Sequence, residues 1–251
     1  MRLRRTRLPF AARVGASLVL AALSAHASAV DCNHVLLEAK SSIVCRVDVR
    51  KESLRLFLND PAGQPLHTFK AVDDMIGASR QKLAFAMNAG MFHPDYAPVG
   101  LFIDGGKEVA PLNTAAGSGN FFLKPNGVFL VDDHGPRIVD TSQFAGFRGK
   151  VTLATQSGPL LVHAGNIHAA LGPKSTSRLI RNGVGVDASG AAVFAISEDP
   201  VNFHEFARLF KEKLGCQDAL YFDGVVSSVY VPALQLSVQR AQLGPIIAVV
   251  E

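Results

Sequence analysis

Short apolar runs separated by turn residues dominate this chain and constrain its fold more than any other feature. Asp104-Gly105-Gly106 follows the apolar run 99–103, and the turn 187–190 joins 181–186 to 192–196. Asp-Gly and neighbouring glycines are typical of the tight turns of β-hairpins. The pattern therefore predicts several hairpins and favours antiparallel pairing over a doubly wound α/β fold.

Further apolar runs predict strands elsewhere in the chain. Pro125-Asn126-Gly127 predicts a hairpin between residues 120–124 and 128–131. An N-terminal pair of strands is predicted at residues 42–50 and 53–59. We also expect strands at 83–87, 107–110, 151–155, 160–163, 219–222 and 245–250. The expected fold class is α+β, with a strongly curved, mostly antiparallel or mixed sheet and a few packed helices.

One helix is predicted over 203–214. Asn202 is its expected N-cap, and Glu205 three residues later completes a capping box. Gly215 follows the last turn, where glycine is the common terminator of helices. One face of the helix is apolar and is expected in the core, namely Phe203, Phe206, Ala207, Phe210 and Leu214.

Residues 1–29 have the pattern of a secretion signal. An arginine-rich start is followed by the apolar run 14–25 and by the small-x-small sequence Ala27-Ser28-Ala29. The apolar run is shorter than the roughly 20 residues that cross a bilayer. We therefore expect residues 30–251 to be a single periplasmic or secreted domain with no stable membrane span.

The signal segment also accounts for the basic net charge. It holds 5 of the 25 Lys and Arg and none of the 21 Asp and Glu, which leaves 20 basic against 21 acidic residues in 30–251. A remainder near neutrality does not predict a nucleic acid partner. The sequence contains neither a GxGxxG nor a Walker motif, so no nucleotide cofactor is expected.

The three cysteines are Cys32, Cys45 and Cys216. In an oxidising compartment Cys32 and Cys45 are able to close a short loop, but the sequence does not decide which two cysteines pair. None has the spacing of a metal-binding pair, and His163 and His168 lack a supporting carboxylate pattern. No metal site is predicted.

Four predicted strands end in small, polar or charged residues. These ends are 88–92, 156–159, 197–200 and 223–228. If they converge, they supply an amide, two carboxylates, hydroxyls and backbone donors, which are the kinds of polar group that bind a carbohydrate. Asp223 is the most informative of these residues, because a carboxylate at a strand end is held rigidly while it faces a cleft.

The segments resemble motifs of the phosphodiester glycosidase family, which includes the lysosomal uncovering enzyme and many secreted bacterial proteins. The matching pieces, in the family's order, are NAGMF (88–92), PVGLFIDGG (98–106), QSGPLLV (156–162), RNGVGVDASG (181–190) and LGCQDALYFDGVVSSVY (214–230). The chain is most similar to the short bacterial branch, formerly a domain of unknown function. Phe222 and Val225-Val226 depart from the family's common Leu-Asp-Gly-Gly-Gly-Ser-Ser.

The resemblance implies hydrolysis of a sugar-1-phosphodiester, with release of the sugar from a phosphate that stays esterified elsewhere. Asp223 and Glu198 are the expected carboxylates that activate water or stabilise an oxocarbenium-like centre. Arg181 is expected to bind the phosphate through both guanidinium arms, with Arg178 as a second candidate.

A larger set of residues is expected to bind the substrate. Asn88 and Ser227 or Ser228 would hold sugar hydroxyls or phosphate oxygens. The full expected set is Asn88, Gly90, Gln156, Ser157, Gly158, Arg178, Gly224, Ser227 and Ser228.

Structural roles compete with these assignments. Asp223 can cap a turn, Glu198 can simply lead into the helix, and Arg181 can pair with Asp187 across its own hairpin. The sequence contains no GxSxG, and Ser157 has no identified His and Asp partners, so a serine hydrolase is not predicted.

Two other functions remain open. The first is a periplasmic glycan-binding or envelope-associated protein with the same fold and little or no turnover. Val225-Val226 favours it, because side-chain bulk in place of glycine narrows the site. The second is a phosphodiesterase that attacks phosphorus, for which metal-ligand clusters are expected and are not evident in the sequence.

Overall fold

The computed structural model describes residues 30–251 together with Met1, so the expected signal segment falls almost wholly outside the described residues. Among the helices of residues 30–251, none has the length and apolar character that crossing a membrane requires.

Residues 30–251 form seventeen strands and three short α-helices. In chain order the strands are β1 (Asp31–Leu37), β2 (Lys40–Val47), β3 (Ser53–Phe57), β4 (Leu83–Asn88), β5 (Phe102–Asp104), β6 (Lys107–Ala110), β7 (Gly127–Asp132), β8 (Gly135–Asp140), β9 (Leu153–Ser157), β10 (Leu160–His163), β11 (Asn166–Ile167), β12 (Asn182–Val186), β13 (Ala192–Ser197), β14 (Asp218–Asp223), β15 (Val229–Val231), β16 (Leu236–Val238) and β17 (Ile246–Val250). The helices are α1 (Phe69–Gly77), α2 (Thr141–Phe144) and α3 (Phe203–Arg208), which continues as a π-helical turn over Leu209–Lys213.

The strands form three sheets. Sheet A has the order β1-β2-β13-β12-β14-β10-β11, sheet B has β16-β15-β4-β17-β3, and sheet C has β6-β5-β9-β7-β8. Every pairing of these strands within residues 30–251 is antiparallel. The antiparallel prediction is confirmed, and the strands are distributed over three sheets where one was expected.

Phenylalanine packing joins the three sheets into one core. The ring of Phe194 in sheet A lies 5.2 Å from that of Phe85 in sheet B and 5.8 Å from that of Phe129 in sheet C, between centroids. All three side chains are fully buried. Burying one such ring contributes about 1.5–3 kcal/mol to the free energy of unfolding, so this contact holds the sheets together.

The local predictions with the strongest turn and cap signals are confirmed. β5 pairs with β6, and β12 pairs with β13, across the turns expected from sequence. α3 begins at the predicted capping box: Asn202 Oδ1 accepts from the Glu205 N–H at 2.9 Å, and Glu205 Oε2 accepts from the Asn202 N–H at 3.0 Å.

Two predicted pairings are wrong. β2 pairs with β1 and β13 in sheet A, whereas β3 pairs with β17 in sheet B, so the segments 42–50 and 53–59 are not partners. Residues 120–122 form a 3₁₀ turn, and β7 pairs with β8 rather than with 120–124. In both places a tighter hairpin competes with the predicted pairing, because Leu37 pairs with Lys40 across the β1–β2 turn and Asp132 pairs with Gly135 across the β7–β8 turn.

The sequence reading also missed α1. Thr68 caps this helix by accepting from the Ala71 N–H at 3.0 Å, and Phe69, Val72 and Ile76 bury one face of it. Their i, i+3, i+7 spacing was the available signal.

The structure resolves the cysteine pairing. Cys32 and Cys45 face each other on β1 and β2 and form a disulfide, and Cys216 is a buried free thiol.

Candidate active site

The ends of four strands meet around Asp223. Asn182 of β12 is the register partner of Asp223 at the end of β14. Ser157 Oγ, at the end of β9, donates to the Phe222 carbonyl oxygen at 3.3 Å. The Ser228 N–H donates to Asn88 Oδ1, at the end of β4, at 2.8 Å. Three of the four predicted strand ends therefore meet directly at Asp223, and the fourth reaches the cluster through Ser197, whose Oγ accepts from the Arg181 N–H at 3.0 Å.

Asp223 caps its own turn and keeps one oxygen free. Oδ2 accepts from the N–H groups of Val225 at 2.7 Å and Val226 at 2.5 Å. Oδ1 accepts no hydrogen bond from residues 30–251. The turn-capping role is therefore real, and it fixes the carboxylate through Oδ2.

The environment of Asp223 perturbs its acidity. Burial raises the pKa of the Asp223 carboxyl, and the N–H groups of the turn, led by that of Val226, offset only part of this effect. A carboxyl group with a raised pKa is suited to accept and return a proton near neutral pH.

Arg181 lies behind the Asp223 turn and has no exposed surface. Its Nε donates to the Val201 carbonyl oxygen at 2.9 Å and its Nη1 to Tyr221 Oη at 3.2 Å. The guanidinium carbon is 3.8 Å from the centroid of the Phe203 ring, a cation–π contact. Within residues 30–251, no carboxylate comes within 4 Å of this buried cation.

Gly224 lets the turn approach Arg181 closely. A Cβ at this position would lie 2.4 Å from Tyr221 Oη and 3.4 Å from Arg181 Nη1. In this conformation Arg181 lies behind the turn, and it is not exposed for the predicted bidentate phosphate contact. The alternative pairing of Arg181 with Asp187 is wrong, because Asp187 pairs with Arg46 at 3.5 Å.

The predicted amide and hydroxyl groups form the buried support of the turn. Ser227 Oγ donates to the Ile180 carbonyl oxygen at 3.0 Å, and Ser228 Oγ to the Val226 carbonyl oxygen at 2.6 Å. Asn88, Ser227 and Ser228 are at most 1% exposed. These groups position the loop in this structure, and their surfaces do not face solvent.

Asn182 is the supporting residue that the sequence reading missed. Its Nδ2 donates to the Asn88 carbonyl oxygen at 2.9 Å, and its Oδ1 accepts from Ser227 Oγ at 3.2 Å. The signal was available, since an amide inside an otherwise apolar strand requires buried hydrogen-bond partners.

Gln156 and its neighbouring glycines have scaffold roles. Gln156 Oε1 accepts from the N–H groups of Leu101 at 3.0 Å and Asn113 at 2.9 Å. A Cβ on Gly90 would lie 2.4 Å from the Gln156 carbonyl oxygen, and one on Gly158 would lie 2.6 Å from the Phe121 carbonyl oxygen. Both glycines permit close packing of loops behind the site.

Glu198 and Arg178 are engaged elsewhere. Glu198 Oε2 accepts from Ser41 Oγ and lies 2.9 Å from His34 Nδ1, at the β1–β2 hairpin. Arg178 binds both oxygens of Glu205 at 2.8 Å. The structure does not bring either side chain into contact with Asp223.

The two valines that follow Gly224 differ in their environment, because Val226 packs partly buried against the apolar cluster that contains Phe69 and Leu83, whereas Val225 is exposed. Val225 is 81% exposed, and Leu179, whose Cδ1 lies 3.2 Å from a Cβ built on Gly224, is 38% exposed. The bulk of Val225 projects into solvent and forms an apolar rim beside the carboxylate.

Metal-binding geometry occurs away from this cluster. Among the described residues, one group of three candidate ligands lies within metal-binding distance, Asp132, Asp133 and His134 in the β7–β8 turn. Asp132 already pairs with Arg137. These residues make no contact with the Asp223 turn.

Known proteins are similar to this chain in sequence. Residues 81–245, which include every strand end around Asp223, match the family model of phosphodiester glycosidase. The uncharacterized protein YigE of Escherichia coli (strain K12) is 36% identical over 194 residues, which cover 77% of this chain and 76% of that protein.

Two solved structures share the fold. The zebrafish N-acetylglucosamine-1-phosphodiester alpha-N-acetylglucosaminidase catalytic domain, auto-inhibited by its pro-peptide, aligns with a TM-score of 0.61 at 13% identity over 88% of this chain and 81% of that one. A hypothetical protein from Synechocystis aligns with a TM-score of 0.56 at 14% identity over 88% of this chain and 61% of that one. At these identities the likeness concerns the fold alone. The family match across residues 81–245 shows that the chain belongs to the phosphodiester glycosidase family.

Proposed function

We propose that this protein is a secreted hydrolase that cleaves a sugar-1-phosphodiester and releases the sugar from its phosphate-linked aglycone. The observation that carries the proposal is the Asp223 carboxylate, which has one oxygen fixed by its turn and the other free. Membership of the family supplies the reaction class, and a buried cation behind the turn suits a site that handles an anionic leaving group.

The proposed step uses Asp223 Oδ1 as the general base. Oδ1 takes a proton from water as the water oxygen bonds to the anomeric carbon, and the bond from that carbon to the phosphate oxygen breaks. The electron pair of that bond leaves with the phosphate monoester, which is a good leaving group and needs little protonation. Arg181 lowers the energy of the negative charge that gathers near the turn.

Glu198 stays a prediction as the second carboxylate. Its contacts with Ser41 and His34 leave Asp223 as the carboxylate favoured by the geometry. Comparing Glu198→Gln with Asp223→Asn separates the two roles.

The test is sugar release from a panel of synthetic sugar-1-phosphodiesters, with and without chelator. We expect wild-type turnover that chelator does not change, and a loss of about 10²–10⁴-fold in kcat for Asp223→Asn. Loss of activity in Glu198→Gln would support Glu198 as the second carboxylate, and retained activity would remove it from that role. Full activity of Asp223→Asn would remove Asp223 from catalysis, and chelator-sensitive release of a phosphorylated sugar would favour attack at phosphorus.

A glycan-binding protein with little or no turnover is the second candidate. The observation that favours it is the internal satisfaction of the polar groups, since Asn88, Ser227 and Ser228 all bind other protein atoms. Binding of the same substrates without sugar release would support this candidate.

We also propose a periplasmic or secreted location. The Cys32–Cys45 disulfide supports it, because disulfides persist in oxidising compartments. Cell fractionation of the full-length chain, with a thiol-labelling readout of Cys32 and Cys45, tests the location directly.

A further inference from the structure

Two exposed apolar side chains lie beside the Asp223 carboxylate. Among residues 30–251, the exposed large apolar side chains are Leu36, Val109, Leu179 and Val225. Leu36 and Val109 are on the edge strands β1 and β6, whereas Leu179 and Val225 lie together at the Asp223 turn. Single exposed apolar side chains are ordinary on protein surfaces, but contiguous apolar surface marks a site of interaction.

Hydrogen bonds hold Val225 at a fixed position relative to the carboxylate. The Val225 N–H donates to Asp223 Oδ2 at 2.7 Å, and the Val226 N–H donates to the same oxygen. Ser227 Oγ closes the turn by donating to the Asp223 carbonyl oxygen at 3.0 Å. Because N and Cβ of one residue are about 2.5 Å apart, Val225 Cβ lies within about 5 Å of Asp223 Oδ2.

Leu179 is held beside Gly224, the residue before Val225. The Leu179 N–H donates to the Val201 carbonyl oxygen at 3.1 Å, and the Leu179 carbonyl oxygen accepts from the Val201 N–H at 2.9 Å. Leu179 Cδ1 lies 3.2 Å from a Cβ built on Gly224. The Val201 carbonyl oxygen also accepts from Arg181 Nε at 2.9 Å, so the same backbone holds Leu179 and the buried cation. We call Leu179 and Val225 the aliphatic rim.

The chemistry of the aliphatic rim favours an apolar ligand. Neither side chain donates or accepts a hydrogen bond, so sugar hydroxyls and phosphate oxygens gain nothing from contact with the rim. In the proposed reaction the sugar and the phosphate are polar, and the aglycone is the part of the substrate that is free to be apolar. A saturated chain would be attracted in proportion to the apolar area that it removes from water.

A membrane surface would also cover apolar side chains, but the charges beside the rim do not favour one. Segments that lie on membranes carry clusters of free Lys and Arg, which attract anionic lipids. Arg178, next to Leu179 in the chain, binds both oxygens of Glu205 at 2.8 Å. Arg181 has no exposed surface. These two cations are therefore not available to lipid headgroups, which leaves the substrate as the favoured occupant.

We propose that the aliphatic rim binds an alkyl chain of the aglycone, so that the substrate is the sugar-1-phosphodiester of an aliphatic alcohol. The role of the rim rests on the proposed function for the reaction itself, and it adds the chemical class of the leaving group. The reaction would release an alkyl phosphate, and binding of this product is measurable without turnover.

The first test compares the octyl and methyl phosphodiesters of each sugar in the panel, below the micelle concentration of the octyl ester. We expect kcat/KM to be about tenfold higher for the octyl ester, at the lower end of the effects of apolar contacts on specificity. Val225→Thr keeps the β-branched shape and the backbone N–H but replaces a methyl group with a hydroxyl group. It should lower the octyl-to-methyl ratio of kcat/KM by about fourfold.

Val109→Thr is the matched control. It makes the same change at a valine that is 51% exposed on β6, and it should leave the octyl-to-methyl ratio unchanged. Equal kcat/KM values for the two esters, in a protein that releases sugar, would overturn the proposal and leave the proposed hydrolase standing. An octyl preference that Val225→Thr and Val109→Thr reduce equally would also overturn it.

The second test is calorimetric titration of the full chain with octyl phosphate and methyl phosphate. We expect octyl phosphate to have a Kd about tenfold lower, and Val225→Thr to remove most of this difference. That result in a protein that releases no sugar would support the rim and refute the hydrolase. Absence of an octyl preference in binding would overturn the proposal, and accompanying Val225-dependent binding to phosphatidylcholine vesicles would assign the rim to a membrane surface.

Discussion

Asn88 and Asn182 bind each other across the boundary between sheets A and B. Asn182 Nδ2 donates to the Asn88 carbonyl oxygen at 2.9 Å, and Asn88 Nδ2 donates to Asn182 Oδ1 at 3.3 Å. Both side chains are at most 1% exposed. The pair joins β4 to β12 at the point where Asp223 and Ser228 emerge, so it couples the packing of the sheets to the geometry of the site.

Asn182→Ala should therefore destabilise the protein and impair the site together. The substitution removes the partner of Asn88 Nδ2 and an acceptor of Ser227 Oγ, at a cost of about 3 kcal/mol in the free energy of unfolding. Equilibrium unfolding in urea measures this loss of stability. Asn120→Ala, at an exposed asparagine, serves as the control and should change stability by less than about 0.5 kcal/mol. Equal effects of the two variants would contradict the support role.

Asp223→Asn should raise the thermal midpoint at pH 7 while activity is lost. Burial raises the folded-state pKa of Asp223, so the folded state holds this proton more tightly than the unfolded state does. The stabilising contribution of Asp223 is then fully present below the unfolded-state pKa and is lost as pH rises through the folded-state value. The increase in thermal midpoint caused by Asp223→Asn should accordingly become smaller as the pH is lowered.

Asp187→Asn is expected to change the thermal midpoint in the opposite direction from Asp223→Asn. Burial disfavours the Asp187 carboxylate, but hydrogen bonds from Ser189 and Ala191 together with Arg46 lower its pKa overall. Its contribution is present above the unfolded-state pKa and is lost on acidification. We expect Asp187→Asn to lower the midpoint at pH 7. If the thermal midpoints of the two variants changed with pH in the same way, the raised pKa of Asp223 and the lowered pKa of Asp187 would both be contradicted.

Cys216 should be unreactive in the folded protein. Burial raises the pKa of its thiol to about 12, far above the usual value of a cysteine, so the thiolate fraction falls by about a thousandfold. Titration with a thiol reagent at pH 8 should detect no rapid reaction before unfolding and one thiol per chain in urea. Rapid labelling of the native protein would show that Cys216 is accessible.

A substitution in the turn between β10 and β11 is expected to increase the stability of the protein. Ala164 and Gly165 both have positive φ, 47° and 75°, as a two-residue hairpin turn requires. Asparagine adopts this conformation more readily than alanine, so Ala164→Asn should stabilise the protein by about 0.5–1 kcal/mol. A gain of this size raises the thermal midpoint by about 1–4 °C in a domain of this length.

Gly165→Ala is the contrasting variant in that turn. Its Cβ would lie 2.8 Å from Gln217 Oε1 on a left-handed backbone, so we expect a loss of about 1–2 kcal/mol. A loss of stability in Ala164→Asn, or none in Gly165→Ala, would refute the turn assignment.

Features encoded by neighbouring residues were predictable. The Asn202 capping box and the 187–190 hairpin turn depend on contacts within a few positions, and both occur as expected. The failures concern which strands pair: β7 pairs with the next strand β8, whereas β2 and β3 each have one partner far along the chain. Apolar alternation makes 42–50 compatible with several strands, and only the shared burial around Phe194 selects among them.

The sequence by itself determined most strand positions, the turns at 104–106 and 187–190, the capping box of α3 and the placement of Asp223 at the end of a strand. Tertiary structure alone decided that Asn182 supports the site, that Arg181 is buried behind it, and that Glu198 contacts Ser41 instead. The physical reason is that residue type and spacing specify local hydrogen bonds. Burial and the direction of a side chain depend on which distant strands pack together.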